Sequence, residues 1–315
     1  MPDRLQFQGK IPRLFRVIFR SILMKFMPVT FKQLRTLKEL EPCERLQKAV
    51  WKFNKEDIIP SRFMRILCKH GGFAMGAFDG EMMIGFLFGV PAIHYGRPSQ
   101  HSHMMAVLPE YRDYNVGFRL KIAQREEALS RNIDLITWAF DPLQSRNAHL
   151  NINKLGVIAC SYDVNLYGEE TSSKLHSGLG TDRLLAEWWL ASDKVKTIID
   201  GQTQGAVEQY PAKGHNINRT ERNEQGLLIP VKLDLTLTND VLLLEIPDDI
   251  EEIKASNIQL ARKWRELVQK AFLHYFDAGY YVNSLQVERD DNTRRIHYLL
   301  ERLTKPYKSP CFPLY

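Results

Sequence analysis

The segment VLPEYRDYNVGF, residues 107–118, places Arg112, Asn115 and Gly117 where an apolar stretch gives way to a helical pattern. The start of a helix exposes unpaired backbone N–H groups and carries partial positive charge, so an anion placed there satisfies both. Converging those N–H groups needs residues that tolerate positive φ. Gly117 does so freely, and Asn115 is among the few other residues that visit that region at little cost. Arg112 adds a charge-assisted contact to the same anion. These residues have the means to hold a pyrophosphate. An ordinary strand-to-helix turn with one Arg and one Gly looks the same, so the segment alone leaves both readings open.

Other residues could do proton chemistry. His101 and His103 alternate on one face of the strand that runs into this turn, and histidine titrates near neutrality. They read as general bases or as histidines with ordinary partners. Asp141 ends a later strand and reads as a base, as a partner for a substrate ammonium, or as the first residue of an Asp-Pro turn. His94 is a weaker candidate. Glu187, Trp188 and Trp189 read as an acceptor-pocket wall or as packing. Cys43, Cys68, Cys160 and Cys311 are far apart, with no ligand spacing to histidine, so the expectation is reduced thiols, a cytoplasmic location and no metal site.

The elements that must position these residues show an alternating α/β pattern from about residue 29. Residues 29–40 start as a strand, and Leu46, Ala49, Val50 and Phe53 recur at helical spacing. Asp79-Gly80 between two apolar runs signals a hairpin. Strands are expected over 100–109, 133–140, 157–168 and 183–191, with helices over 117–131 and 145–156. Ser145 or Asn147 is the expected cap of that second helix, and Gly156 its C-terminal glycine. Residues 200–226 are polar and turn-rich, and a strong helix spans 257–279 between two pairs of strand-like runs. The expected organisation is an N-terminal extension over 1–28, an α/β domain over 29–192, a linker or long loop over 193–227 and a β-β-α-β-β unit over 228–315.

With 315 residues, 44% hydrophobic, the chain can bury a substantial core and is not disordered overall. Its net charge of +6 suits an anionic partner without choosing one. Residues 11–28 mix Arg13, Arg16, Arg20 and Lys25 with Leu14, Phe15, Val17, Ile18, Phe19, Ile22 and Leu23. Arg16 and Arg20 interrupt any signal-peptide core. The stretch reads as a helix packed on its own domain, or as a basic amphipathic helix making weak membrane-surface contact. No nucleic-acid motif is present, and aromatic residues are not interleaved with a basic run, so no nucleic-acid partner is expected.

Two segments together carry a resemblance. Residues 107–118 resemble the acetyl-CoA-binding signature of the GNAT N-acyltransferase superfamily: Arg112 takes the first place, Gly117 the last, and Asn115 stands where the first glycine usually is. NAHLNINKLGV, about thirty residues on, is similar to the second signature of that family. FDPLQSRNAHLNINKLG, with YG and TDRLLAEW after it, resembles a predicted-acetyltransferase branch that also carries a C-terminal extension.

The resemblance covers about 29–192 and implies a mixed α/β, mainly antiparallel sheet whose central parallel strands splay around an acyl-CoA. It implies that Val107 meets the pantetheine, that Arg112, Asp113, Asn115, Val116, Gly117 and Phe118 form the phosphate loop, and that Asn147 faces the cofactor's far arm. A backbone N–H near Met105 to Val107 would polarise the thioester carbonyl. The implied activity is transfer of an acetyl or succinyl group from CoA to the amine of a small molecule, such as an amino acid, by direct attack. Many members carry a tyrosine acid four residues before the glycine of KLG; here that position is Ile152, and Tyr162 or an ordered water would have to substitute. An acyl-CoA-binding regulatory protein with weak turnover is the alternative.

Overall fold

The computed structural model describes residues 29–168, 178–204, 214–290 and 293–303. The amphipathic segment 11–28 lies outside them. Strand β1 (Thr30–Gln33) leads to helix α1 (Leu37–Trp51), which opens with a capping box: Thr36 accepts from the Glu39 N–H and Glu39 accepts from the Thr36 N–H. A second helix, α2 (Ser61–Lys69), was not expected; its buried face is small, limited to Ser61 and Met64. Both helices cover one sheet face, where Leu40, Cys43, Leu46 and Met64 meet Phe86, Phe88, Met104 and Ala106.

Strands β2 (Phe73–Asp79), β3 (Met82–His94) and β4 (Arg97–Val107) form an antiparallel meander. The expected Asp-Gly hairpin joins the first two, with Gly80 at φ +58°. Helix α3 (Val116–Ser130) crosses the opposite face and leads to β5 (Leu135–Phe140). Helix α4 (Ser145–Ala148) runs into a π-helical stretch over His149–Lys154, and Gly156, at φ +75°, ends the segment as expected. Its cap position falls on Gln144, not on Ser145 or Asn147, and Gln144 makes no side-chain cap bond. Strands β6 (Ile158–Asp163) and β7 (Arg183–Trp189) complete this half.

Residues 193–227 are not simply a linker. Helix α5 (Asp193–Gln204) buries Val195 and Ile199 at helical spacing, and β8 (His215–Asn216) and β9 (Asn218–Arg222) come next. Strand β10 (Leu228–Leu233) pairs with β9 and not with β11 (Val241–Ile246). Helices α6 (Ile250–Ser256) and α7 (Ile258–Asp277) precede the hairpin of β12 (Tyr280–Asp290) and β13 (Thr293–Arg302).

The main sheet is mixed and mostly antiparallel, in the order β1-β2-β3-β4-β5-β7-β6-β12-β13-β11-β8. The C-terminal strands therefore extend the same sheet through Val282 opposite Ala159. Helix α7 seals the junction. Its buried stripe of Leu260, Ala261, Trp264, Leu267, Val268, Ala271, Phe272 and Tyr275 joins the cluster that also holds Trp138, Phe140, Ile152 and Trp188.

One ion pair crosses this junction below the surface. Arg265 donates through two nitrogens to the two Asp141 oxygens, at 2.9 and 2.8 Å, with both side chains buried. Burial pushes Asp141 up, but the Arg265 guanidinium more than offsets that and holds the carboxyl below its ordinary range. Removing one partner of a buried pair strands the other charge. Arg265→Met should therefore lose about 3–5 kcal/mol of stability in chemical denaturation. The double variant Asp141→Leu/Arg265→Met should recover most of that loss.

Candidate functional site

Strands β4 and β5 run parallel yet pair only at Gln100 with Ile136 and His101 with Thr137. Beyond these pairs the pairing stops, so the β5-facing edge of β4 from Ser102 to Val107 has no strand partner among the described residues. Those five steps span about 17 Å. This limited pairing agrees with the splayed parallel strands that the resemblance implies. A β-bulge falls at His103: Met104 lies opposite Phe88, whereas Ser102 lies opposite Gly89. A bulge places two successive residues on nearly the same face. Before it, Gln100 and Ser102 face α3, with Ser102 bonded to Lys121. After it, Met104 and Ala106 pack under α1 and α2, and Met105 and Val107 turn to the α3 side.

At the open end, the 3₁₀ turn Pro109–Tyr114 delivers the chain to α3. Asn115 caps the helix at φ 55°, the left-handed conformation. The positive-φ duty thus falls on Asn115 and not on Gly117, which is helical. The first helical bond is Arg119 N–H to the Asn115 carbonyl, so the Val116, Gly117 and Phe118 amides have no carbonyl partner within the helix. At Gly117 an added Cβ would meet Met105 Cε at 3.5 Å, an ordinary contact, so glycine there keeps the approach clear without being demanded by strain. Arg112, Asp113 and Asn115 are exposed. Lys154, from the π-helical stretch, donates to Asn115 Oδ1 at 3.3 Å and brings a cation to the loop. The donors here fit a phosphate group. Asn147 is exposed on α4. Its backbone N–H donates to the Gln144 carbonyl at 3.0 Å.

The proton candidates divide between the two faces of the sheet. His101 and His103 share one face, with ring centres 6.3 Å apart. His101 Nδ1 is 3.1 Å from Thr137 Oγ1, and burial, aided by His103 and Lys121, pushes the ring down to about 4. His103 reaches solvent from within the cleft wall, against the edge of Phe88, and lost solvation lowers it too. Both are neutral at physiological pH and able to accept a proton.

On the same face, Thr137 lies opposite Glu187. Glu187 is 1% exposed and accepts from Tyr95 Oη at 2.8 Å, Cys160 Sγ at 3.3 Å and Trp189 Nε1 at 3.0 Å. His94 Nε2 stands 3.6 Å away. Glu187 thus joins this wall, whereas Trp188 points the other way and donates to the Leu155 carbonyl. Tyr95 holds φ 50°, costly for a tyrosine, at the hairpin turn that brings its hydroxyl to Glu187.

Two expectations about catalysis do not hold. Asp141 is occupied by Arg265 and by the Leu143 N–H, so it is neither a free base nor an ammonium partner. Its turn role is real. Tyr162 lies opposite Leu184 and shares the face of Trp188, away from His101 and His103. Its hydroxyl donates to Asp182 Oδ2 at 2.7 Å, and burial raises its pKa further, so it is a poor acid for this cleft. Ile152 is buried in the core.

The sequence reading missed Lys121 and Lys154. Lys121 had a signal: in α3 it adjoins the stripe Val116, Leu120, Gln124 and Ala128, which is buried at helical spacing.

No family model matches the chain, and no curated protein matches it. Among solved structures it is similar to the ribosomal-protein-S18-alanine N-acetyltransferase of Escherichia coli, at 13% identity over 52% of this chain and 96% of that one, TM-score 0.42. It is also similar to aminoglycoside 6'-acetyltransferase type Ii, at 17% identity over 52% and 98%, TM-score 0.41. A GNAT family acetyltransferase from Elizabethkingia anophelis with acetyl-CoA bound matches at 15% identity over 51% and 97%, TM-score 0.41. These matches cover about half of this chain. What bears on function is the geometry of β4, β5 and the loop before α3.

The low His101 pKa has a consequence for stability. Its folded value, about 4, lies below the unfolded value of about 6.5, so folding disfavours the charged ring. This contribution is absent above about pH 6.5, grows as pH falls toward about 4, and levels off below. Urea unfolding across that range should show a loss of stability that His101→Gln reduces, and the ring should titrate near 4 by NMR.

Proposed function

We propose that the chain is an acyl-CoA-dependent N-acyltransferase that moves an acetyl or succinyl group to the amine of a small molecule, with an amino acid as the acceptor class. The reading is carried by one observation: two parallel central strands that pair at only two positions, with one of them leading directly to a helix whose first amides are free. Residues 29–192 act as the acyl-CoA-binding unit, and the C-terminal strands and α7 act as its support. Val107 and the outer edge of β4 hold the pantetheine. Arg112, Asn115, Val116, Gly117 and Phe118 hold the pyrophosphate with Lys154, while Asp113 contributes backbone and Asn147 flanks the far arm.

Bound acyl-CoA supplies an activated thioester. The chain's own residues must align an amine with it and move protons. His103 and His101 take a proton from the acceptor ammonium, with His103 favoured because it reaches solvent. An unpaired backbone N–H between Met105 and Val107 stabilises the developing oxyanion. Glu187 orders this wall through Tyr95 and Trp189. The acceptor enters from the face covered by α1 and α2, and the site of action is the cytoplasm.

A second reading, an acyl-CoA-binding regulatory protein with weak turnover, is favoured by the buried Ile152 and the engaged Tyr162. Amine-dependent release of free CoA thiol separates the two, because only the enzyme produces it.

The loop assignment is tested by Gly117→Glu, which sets bulk and negative charge in the first turn of α3. Calorimetry should show CoA affinity falling at least about 100-fold, as several phosphate contacts of about 1 kcal/mol or more are lost together. Circular dichroism should be unchanged. An unaltered dissociation constant would sink the assignment.

A further inference from the structure

Lys121 is the sixth residue of α3 and only 2% exposed, a rare state for lysine. Its Nζ lies 2.8 Å from Ser102 Oγ, 3.3 Å from Gln124 Oε1 and 3.5 Å from the centre of the Trp138 ring. None of these neighbours is a carboxylate. Their position is informative. The pairs Gln100–Ile136 and His101–Thr137 are the contacts of β4 with β5, so Ser102 and Trp138 are the first residues of each arm beyond them. The amine therefore stands at the root of the opening, on the α3 side, behind a serine hydroxyl. His101 and His103 stand on the other side.

An unpaired ammonium is costly to bury, and burial drives the Lys121 amine far below its ordinary range. The charged and titratable groups around it do little to reverse this. His101 on β4 is itself lowered partly by Lys121. Glu127, further along α3, is committed to Gln100 and to Arg131. Trp138 brings no charge from β5. Burial favours the neutral amine, bonded to a hydroxyl and able to take a proton and return it. Direct attack on a thioester needs such a group on the leaving-group side, and neither Ile152 nor Tyr162 supplies it.

Resting on the acyl-CoA reading above, the geometry points to Lys121, acting through the Ser102 hydroxyl, as the group that exchanges a proton with the CoA sulfur. The acceptor ammonium loses its first proton to His103 or His101 and then to water. Its second is lost as the C–N bond forms and the C–S bond breaks. Ser102 passes that proton to Lys121, and Lys121 returns it through Ser102 to the sulfur, which keeps the C–S electron pair. Lys121 ends neutral, as it began. In the complex with free CoA the same pair runs in reverse, and Lys121 draws the thiol proton to leave a thiolate beside an ammonium.

That product complex provides a test that needs no acceptor. The thiolate absorbance of CoA bound to the full chain is measured against pH. In the wild type the bound thiol should titrate about 1–3 pH units below free CoA, the effect of a neighbouring cation. Lys121→Met should return it to the value of free CoA. Ser102→Ala, which keeps the buried amine, should lessen the shift and remains readable if Lys121→Met does not fold. A wild-type complex whose thiol titrates like free CoA overturns the assignment of Lys121 while leaving the acyl-CoA site intact. Failure of the wild type to bind CoA at all overturns the acyl-CoA reading, and this inference with it.

Discussion

The site depends on how little β4 and β5 touch. Parallel neighbours in a sheet normally continue pairing, since each unpaired backbone group loses a hydrogen bond. Here the contact stops after two residue pairs. Divergence leaves a polar strand edge facing an opening, and that edge needs another partner. The bulge at His103 makes the arrangement workable. It re-aims the strand so that histidines line one face while Ser102, and later Met105 and Val107, line the other. A regular strand would have kept Met105 and Val107 on the face of His101 and His103; the bulge moves them to the α3 side.

Holding the strands apart takes support from outside the first half of the chain. The turn after β5 is fixed by the C-terminal unit at several points. Arg265 grips Asp141, Ser145 Oγ donates to the Asp248 carbonyl at 2.5 Å, and Tyr298 donates to the Pro142 carbonyl at 2.8 Å. Further on, Asn153 both donates to and accepts from the backbone of Leu285. These bonds set where the π-helical stretch lies, and so where Lys154 meets the loop before α3. The C-terminal strands extend the same sheet, and their core is continuous with the first. The C-terminal unit thus supports residues 142–153.

Polar groups in this interior are placed with care for charge. Glu187, on β7, is surrounded by neutral donors, and Lys121, on α3, by neutral acceptors, on opposite faces of the sheet. Buried ionisable groups without an opposite charge are expensive to keep. Asp141 and Arg265 show the usual solution, which is direct pairing. The contrast separates a carboxylate paired with an opposite charge from ionisable groups held by neutral partners.

Much of this was legible in the sequence. Apolar runs and turn residues announced β2, β3, β4, β5 and β7, because buried strands read as short apolar runs and Asp79-Gly80 suits a tight hairpin. The left-handed cap and the free helix amides after it were legible in 107–118, because they are local properties of Asn115 and the first turn of α3. Helices α2 and α5 escaped notice because their buried faces are short. Side-chain partnerships across the chain were beyond reach: Asp141 finds Arg265, 124 residues away, and Tyr162 finds Asp182. Local chemistry fixes where a backbone can turn and where an anion can sit. Whether a carboxylate is a base or half of a buried ion pair, and whether a lysine is solvated or neutral under a strand opening, depends on neighbours that only the tertiary fold brings together.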